Sequence, residues 1–164
     1  GSYNRDDIDI LWQPARLDLP ADMSFELEQH WHNLPKENIF NGALARLDHW
    51  ASTPVTCQFV LRPSDYRTLL YSNKYTKRIK EKWGYNFLSR ALGISAVTIS
   101  SDDQLIFMKR SSTVGEFPDC YDVFGGHIDV PESGSPCVFK AMDQELREEM
   151  DLLAEDYDLS LIHI

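Results

Sequence analysis

The stretch from Val138 to Leu153 is the part of this chain that most constrains its fold. Apolar residues recur along it at the spacing of one face of a helix, at Val138, Met142, Leu146 and Leu153. Ser135 is a suitable helix cap and Pro136 a suitable first residue. We therefore interpret the stretch as a helix that runs to about Leu153 and packs its apolar stripe against the rest of the protein.

Three glutamates, Glu145, Glu148 and Glu149, stand at positions i, i+3 and i+4 of this helix and share one side of it. At about 100° per residue, Glu145 and Glu149 project within roughly 40° of each other, at the edge of the apolar stripe. Partly buried carboxylates repel one another unless a cation lies between them, and their oxygens suit hard cations such as Mg²⁺. The spacing indicates a metal site, and the alternative is a surface helix with ordinary Glu–Arg pairs.

A pair of glycines, Gly125 and Gly126, follows a short strand-like stretch at residues 121–124. Glycines let the backbone turn sharply and approach a ligand closely, and backbone carbonyls can complete the oxygen shell of a metal ion. We predict a tight turn here. Taken alone, two adjacent glycines are also typical of a turn without a ligand.

The composition is that of an acidic globular protein. Of the 164 residues, 43% are apolar, which suffices for a core in one domain, or in one domain and part of a second. The net charge of −10 argues against nucleic acid as a partner, because phosphate backbones attract basic surfaces. No apolar run has the length of a membrane span, no signal peptide is visible, and the three cysteines lack metal-type spacing. We expect a cytoplasmic protein, with the nucleus as the alternative, and no membrane partner.

The sequence before the glycines alternates between strand-like and helix-like segments. We predict an edge strand at 8–12, a helix at 23–34, a strand at 55–61 that Arg62 and Pro63 end, a helix at 66–71 capped by Ser64 or Asp65, and a hairpin of strands at 94–100 and 104–109. A strand is also allowed at 44–50. Five basic residues between 74 and 82 form either a solvated helix face or a phosphate-facing patch.

Together these elements resemble the signature of the Nudix hydrolases, G-x5-E-x7-R-E-U-x-E-E-x-G-U, where U is aliphatic. Gly126 and Glu132 match its first two fixed positions, and the second half is matched by Glu145, Leu146, Glu148, Glu149 and Leu152. There are three departures. Eleven residues instead of seven separate Glu132 from Gln144, Gln144 replaces the arginine, and Asp151 replaces the late glycine.

A wider resemblance covers residues 66–126 and points to the divergent Nudix branch of UDP-sugar pyrophosphatases. It is carried by Asp65-Tyr66-Arg67, Leu92-Gly93, Asp102-Asp103, Phe107-Met108-Lys109-Arg110-Ser111 and the run from Asp122 to His127. That branch also bears a glutamine before the first helical glutamate and lacks the late glycine, so two of the departures agree with it.

The resemblance implies an α/β (α+β) fold, a Nudix-type α/β/α sandwich around a mixed sheet. An N-terminal α/β extension would occupy residues 1–71 and the Nudix domain residues 72–164. This fold has further strands and a helix after the signature, whereas the last residues here, 159–164, resemble the start of a strand. We expect that the polypeptide continues past Ile164 and that the C-terminal part of the fold is missing from this chain.

The implied activity is Mg²⁺-dependent hydrolysis of the pyrophosphate bond of a UDP-sugar, with Mn²⁺ as an alternative ion. UDP-glucose would give UMP and glucose 1-phosphate. Glu145 and Glu149 would be direct metal ligands, and Glu148 either an additional ligand or the base that activates water. Glu132 would orient groups in the site. The weaker candidates are the Gly126 carbonyl for the metal and Lys109 or Arg110 for phosphate.

Two alternatives to a UDP-sugar hydrolase stay open. The same chemistry could act on ADP-ribose, coenzyme A or a nucleoside triphosphate, because substrate choice lies outside the signature. The chain could also be a catalytically inactive Nudix-like module that binds a nucleotide, an alternative that Gln144 in place of arginine favours. In each case the partner is a small molecule.

Overall fold

A computed structural model describes residues 2–35, 39–112, 118–159 and 161–162 of the chain. The fold is mixed α+β, in agreement with the predicted class. Within the described residues the chain forms two compact units. The first unit comprises the chain up to Leu92 together with 128–136 and 161–162, and the second comprises 93–127 and 137–159. The division into domains at residues 71 and 72 stays a prediction.

The described elements are, in chain order, β1 (Ser2–Tyr3), β2 (Ile8–Trp12), α1 (Ala21–His32), β3 (Ala43–Ser52), β4 (Cys57–Asp65), α2 (Tyr66–Lys74), α3 (Thr76–Lys82), β5 (Gly93–Ala96), β6 (Thr98–Ile99), β7 (Leu105–Ile106), β8 (Met108–Lys109), β9 (Tyr121–Asp122), β10 (Phe124–His127), α4 (Val138–Met150) and β11 (Leu161–Ile162). None of the helices among the described residues is long and apolar enough to cross a bilayer.

A three-stranded mixed sheet in the order β2-β4-β3 forms the frame of the first unit. Strand β2 pairs with β4 in parallel, and β3 pairs with β4 antiparallel. The predicted edge strand at 8–12 is therefore confirmed, and the ambiguous segment 44–50 belongs to β3. In the same unit β1 pairs with β11, so the predicted strand start at 159–164 is confirmed for Leu161–Ile162, whereas residues 160, 163 and 164 lie outside the described residues.

Strand β4 continues through Arg62 and Pro63, so the prediction that these residues end it was wrong. Pro63 lies opposite Ala45 of β3. The N–H of Ala45 donates to the carbonyl of Ile128 at 2.7 Å, and its carbonyl accepts from the N–H of Leu92 at 2.8 Å. Because Ala45 directs both groups away from β4, the ladder requires no N–H from proline at this position.

Three helices enclose the core of the first unit. The predicted helix at 23–34 is confirmed as α1, which begins two residues earlier, at Ala21, and ends at His32. The core cluster consists of Met23, Leu27, Tyr71, Ile79 and Leu88. The basic stretch around α3 takes part in this assembly, since Arg78 pairs with Glu26 at 2.6 Å and Lys82 with Asp22 at 2.9 Å. These two cations therefore hold α3 to α1.

Asp65 fixes the start of α2, as one of the two predicted caps. Its carboxylate accepts a hydrogen bond from the Thr68 N–H at 2.9 Å and pairs with Arg16 at 2.8 Å. Burial alone would raise the pKa of Asp65, but hydrogen bonds from Thr68 and Arg16 and the charge of Arg67 outweigh it and lower the pKa to about 2. The ionised cap places Tyr66 at the first position of the helix.

The two predicted hairpin strands, at 94–100 and 104–109, do not pair with each other along their whole length in the second unit. Strand β5 pairs with β10, whereas β6 pairs with β7 and β8 with β9. Each predicted strand is therefore two short strands. Only the turn-proximal part, around the predicted turn at 101–103, has the hairpin pairing expected from the sequence.

Candidate functional site

Helix α4 packs on the strands of the second unit through the predicted apolar stripe. Met142 and Leu146 form a buried cluster with Phe124 of β10. The helix is shorter than predicted at both ends. Cys137 has extended dihedral angles (φ −133°, ψ 117°), so Ser135 and Pro136 precede the helix and do not open it.

At its C-terminal end α4 stops at Met150, because Asp151 adopts the left-handed conformation (φ 57°, ψ 30°). Asp151 stands where the resembled signature has glycine, the residue that adopts this conformation most readily. Leu153, predicted to belong to the apolar stripe, lies beyond the helix and is 46% exposed.

Gly125 and Gly126 lie within strand β10, so the predicted tight turn was wrong. They pair with Ser95 and Ile94 of β5. Gly125 has a φ of 152°, and a Cβ built on it would lie 2.8 Å from the Ser95 Cα and closer still to the Ile94 carbonyl oxygen. Glycine is required here because the backbone of β5 fills the space of a side chain.

Gly126 makes room for the carboxylate of Glu145. A Cβ built on Gly126 would lie 2.8 Å from the Glu145 Cδ, 3.1 Å from its Oε2 and closer still to its Oε1. The half-buried Glu145 therefore occupies the volume that any other residue at position 126 would need. The sequence predicted a close backbone approach at this glycine, and the group that approaches is a carboxylate of α4.

Glu149 contacts the neighbouring glycine of β10. Its Oε2 accepts a hydrogen bond from the backbone N–H of Gly125 at 3.3 Å. Glu145 and Glu149, which are one helical turn apart, thus place their carboxylates over adjacent glycines. This convergence is the arrangement that the helical spacing predicted for them.

Glu148 has a different orientation from the other two. Its Oε1 accepts a hydrogen bond from the side-chain amide of Gln144 at 2.8 Å, and both residues are exposed. Among the described residues, no three side chains of His, Cys, Asp or Glu are grouped closely enough to hold a metal ion. The carboxylates of Glu145 and Glu149, which lie beside two glycines, nevertheless provide oxygen donors of the type that suits Mg²⁺.

The weaker site candidates have the following positions. The Gly126 carbonyl oxygen lies 3.6 Å from where a Cβ of Gly93 would be, and so faces β5. Lys109 Nζ lies 3.5 Å from Asp119 Oδ1, and Arg110 donates to Asp122 Oδ2 at 3.1 Å. Both cations are thus engaged with acids of the second unit, and their contact with phosphate stays a prediction.

Glu132 belongs to the first unit, in the segment 128–136, and is exposed. Its predicted role beside the helical glutamates stays a prediction. The adjacent part of this segment is held to β3, since the Val130 N–H donates to the Ala43 carbonyl at 3.2 Å.

A cavity of about 380 Å³ in the first unit was not predicted from the sequence. It is lined by Ile39, Phe40, Gly42, Ala43, Leu44, Tyr66, Asp129 and Val130. The Phe40 side chain is 80% exposed and its ring lies against Gly42, 3.3 Å from where a Cβ would be. The backbone of Tyr66 is held to the same glycine, since its N–H donates to the Gly42 carbonyl at 2.9 Å. Two aromatic rings therefore border one open cavity.

Comparison with known proteins gives a partial similarity. The chain is 40% identical over 57 residues to uridine diphosphate glucose pyrophosphatase NUDT22 of Mus musculus, and equally to the same enzyme of Bos taurus. The match covers 34% of this chain, 18% of the mouse protein and 19% of the bovine protein. No protein-family model matches the chain. Over about a third of its length, this chain resembles the Nudix UDP-sugar pyrophosphatases.

Proposed function

We propose that this protein hydrolyses the pyrophosphate bond of a nucleoside diphosphate joined to another moiety, with a UDP-sugar such as UDP-glucose as substrate. The observation that carries the proposal is the convergence of Glu145 and Glu149 on Gly125 and Gly126. The partial similarity to UDP-glucose pyrophosphatases supports the choice of substrate.

Glu145 and Glu149 would hold the divalent ion, Mg²⁺ or Mn²⁺. Glu145 lies against Gly126 and Glu149 accepts from the Gly125 N–H, so both carboxylates offer oxygen ligands beside the same two residues of β10. When bound, such an ion would neutralise charge on the pyrophosphate and make its phosphorus more electrophilic. Glu132, Lys109 and Arg110 keep their proposed roles in orienting the site and meeting phosphate.

Glu148 would serve as the general base. Its carboxylate is exposed and accepts from the Gln144 amide through one oxygen, so the other oxygen remains available to a water molecule. In the proposed step the water oxygen forms a bond to phosphorus and its proton passes to Glu148. The bridging P–O bond breaks, and UDP-glucose yields UMP and glucose 1-phosphate.

The cavity of the first unit would bind a nucleoside by stacking on its base. Phe40 and Tyr66 offer aromatic faces to a flat ring, and base–aromatic stacking contributes about 1–3 kcal/mol per base. Of the eight described residues that line the cavity, none is Lys or Arg and one, Asp129, is acidic. This lining suits the uncharged base rather than a phosphate.

The proposal is tested by a substrate panel with the purified protein. We expect UMP and glucose 1-phosphate from UDP-glucose in the presence of Mg²⁺, and none when EDTA removes the ion. ADP-ribose, coenzyme A and a nucleoside triphosphate are the comparison substrates. Preferred cleavage of one of them would change the substrate class. Tight UDP-glucose binding without turnover at any Mg²⁺ or Mn²⁺ concentration would instead establish an inactive binding module.

Replacing Phe40 by alanine should weaken nucleoside binding. We expect the dissociation constant for UMP to rise about tenfold, equivalent to about 1.4 kcal/mol, because one stacking face is lost. Calorimetric titration with UMP measures the change. Phe25→Ala is the matched control, since Phe25 is 63% exposed on α1 and does not line the cavity. Equal UMP affinity in wild type and Phe40→Ala would remove the cavity from the proposal.

A further inference from the structure

A second cavity of the first unit, of about 410 Å³, has a lining rich in arginine. The segment before α1, the first turn of α1, strands β3 and β4 and the start of α2 contribute to this lining. Its volume lies in the range of about 300–1,000 Å³ that is typical of small-molecule sites. We call it the arginine cavity, and the lining residues with hydrogen-bond donors in their side chains include Arg16, Arg46, Arg67, Ser24, Ser64 and Thr68.

Ion pairs hold the three arginines of this cavity in place. Arg16 and Arg67 both contact Asp65 Oδ2, at 2.8 and 3.2 Å. The Arg46 side chain is 5% exposed, and its Nε lies 2.6 Å from Asp48 Oδ1. Side chains that are already fixed lose little conformational entropy when a ligand binds. The three guanidinium groups are therefore preorganised.

The ion pairs around the arginine cavity leave an excess of positive charge. Among the described residues they join four guanidinium groups and three carboxylates, namely those of Arg16, Arg46, Arg62 and Arg67 with Asp48, Asp65 and Glu28. Asp18 is the acid of the lining and is exposed, so water screens its charge. The cavity that Phe40 and Tyr66 border has neither Lys nor Arg in its described lining. The arginine cavity is thus the better suited of the two to an anion.

Two polar groups of residues that line the arginine cavity have no partner within the described part of the chain. Arg67 Nε is buried and forms no hydrogen bond to any described residue. Ser64 is 8% exposed, and its hydroxyl likewise forms none to a described residue. Buried polar groups are nearly always hydrogen-bonded. These two groups therefore indicate a ligand that carries oxygen acceptors.

We propose that the arginine cavity binds a phosphoryl group, either of free phosphate or of a small phosphate monoester. Phosphate oxygens accept several hydrogen bonds at once, and the planar fork of a guanidinium group matches their geometry. Arg67 Nε and the Ser64 hydroxyl would donate to the phosphoryl oxygens, and Arg16 and Arg46 would supply positive charge. The proposal does not depend on the proposed hydrolysis, because the cavity lies in the first unit and includes none of the glutamates of α4.

The test is a calorimetric titration of the purified protein with inorganic phosphate, glycerol 3-phosphate and acetate at constant ionic strength. EDTA is present, so that no divalent ion can hold the anion at the glutamates of α4. We expect both phosphates to bind, and acetate to bind at least about tenfold more weakly, because it offers fewer oxygens and less charge. Tighter binding of glycerol 3-phosphate would identify a monoester as the ligand, and tighter binding of inorganic phosphate would identify free phosphate. Tighter binding of acetate would overturn the inference.

Ser64→Ala and Arg67→Lys should each raise the dissociation constant for phosphate about tenfold, because each removes a hydrogen bond to a charged acceptor. Lysine keeps the positive charge and lacks the Nε donor. The matched controls are Ser89→Ala and Arg90→Lys, which should bind phosphate as the wild type does. Ser89 also has a buried hydroxyl without a described partner, Arg90 is also a half-buried arginine of the first unit, and neither lines the cavity.

Melting temperatures without phosphate show whether each variant is folded, and Ser64→Ala keeps the test decisive if Arg67→Lys does not fold. Absence of phosphate binding by the wild type would overturn the inference, as would equal affinity in the wild type and Ser64→Ala. A protein that binds phosphate in EDTA but hydrolyses no UDP-glucose with Mg²⁺ would refute the proposed function alone. One that hydrolyses UDP-glucose but binds no phosphate in EDTA would refute this inference alone.

Discussion

Glu149→Gln is expected to abolish Mg²⁺-dependent hydrolysis while the protein stays folded. The substitution removes the negative charge that would bind the ion, and it keeps an oxygen that can still accept from the Gly125 N–H. Outer-shell residues of metal sites typically contribute 10–100-fold, so loss of a direct ligand should lower kcat/KM by more than about 100-fold, or about 2.7 kcal/mol. Steady-state assays with UDP-glucose at several Mg²⁺ concentrations measure the loss.

The control for this variant is Glu155→Gln. Glu155 is also an exposed glutamate of the second unit. It follows the end of α4 and is not one of the helical glutamates. It should keep wild-type kcat/KM, and thermal unfolding of both variants should show melting temperatures close to that of the wild type. If Glu149→Gln retained its activity, the assignment of this residue as a metal ligand would be lost.

Gly126→Ala should have an effect of similar size through a different cause. The new methyl group would overlap the carboxylate of Glu145, so either that side chain or β10 has to move. A misplacement of about 1 Å in an active site can cost about 100-fold in rate, and we expect a loss of that order in kcat. Overpacking should also lower the free energy of unfolding by about 1–3 kcal/mol, as measured by urea denaturation.

Gly93→Ala provides the matched control on the neighbouring strand. A Cβ at Gly93 would meet only the Gly126 carbonyl oxygen at 3.6 Å, which is ordinary contact. We expect this variant to keep most of its activity and stability. Equal behaviour of the two alanine variants would show that the close approach of Glu145 to Gly126 does not matter for turnover.

The sequence predicted the features of this protein that depend on local spacing. The apolar stripe of α4 and the shared direction of Glu145 and Glu149 follow from helical periodicity, which neighbouring elements did not alter. The cap at Asp65 is local in the same way, since its partner Thr68 is three residues away. Such features need no knowledge of the tertiary structure.

Where a feature depends on residues distant in sequence, the prediction was wrong or was not made. The sequence predicts that Pro63 ends a strand, because it does not show that Ala45 directs its hydrogen bonds away from β4. The sequence predicts a turn at the glycine pair, whereas its pairing with β5 makes it part of a strand. The cavity of the first unit joins Phe40, Tyr66 and Asp129, which are far apart in sequence and share no motif. The orientation of Glu148 depends on a rotamer, which periodicity does not determine.

The two glycines of β10 also bear on how the second unit folds. Side chains on a strand alternate between its faces, so sliding β10 by one residue would bring Phe124 or His127 towards a place that only a bare backbone can occupy. Every shifted alignment would meet either the carboxylate of Glu145 or the main chain of β5. The absence of side chains at two adjacent positions therefore disfavours mispairing, and the residues that make room for Glu145 and Glu149 also select the correct partner alignment during folding.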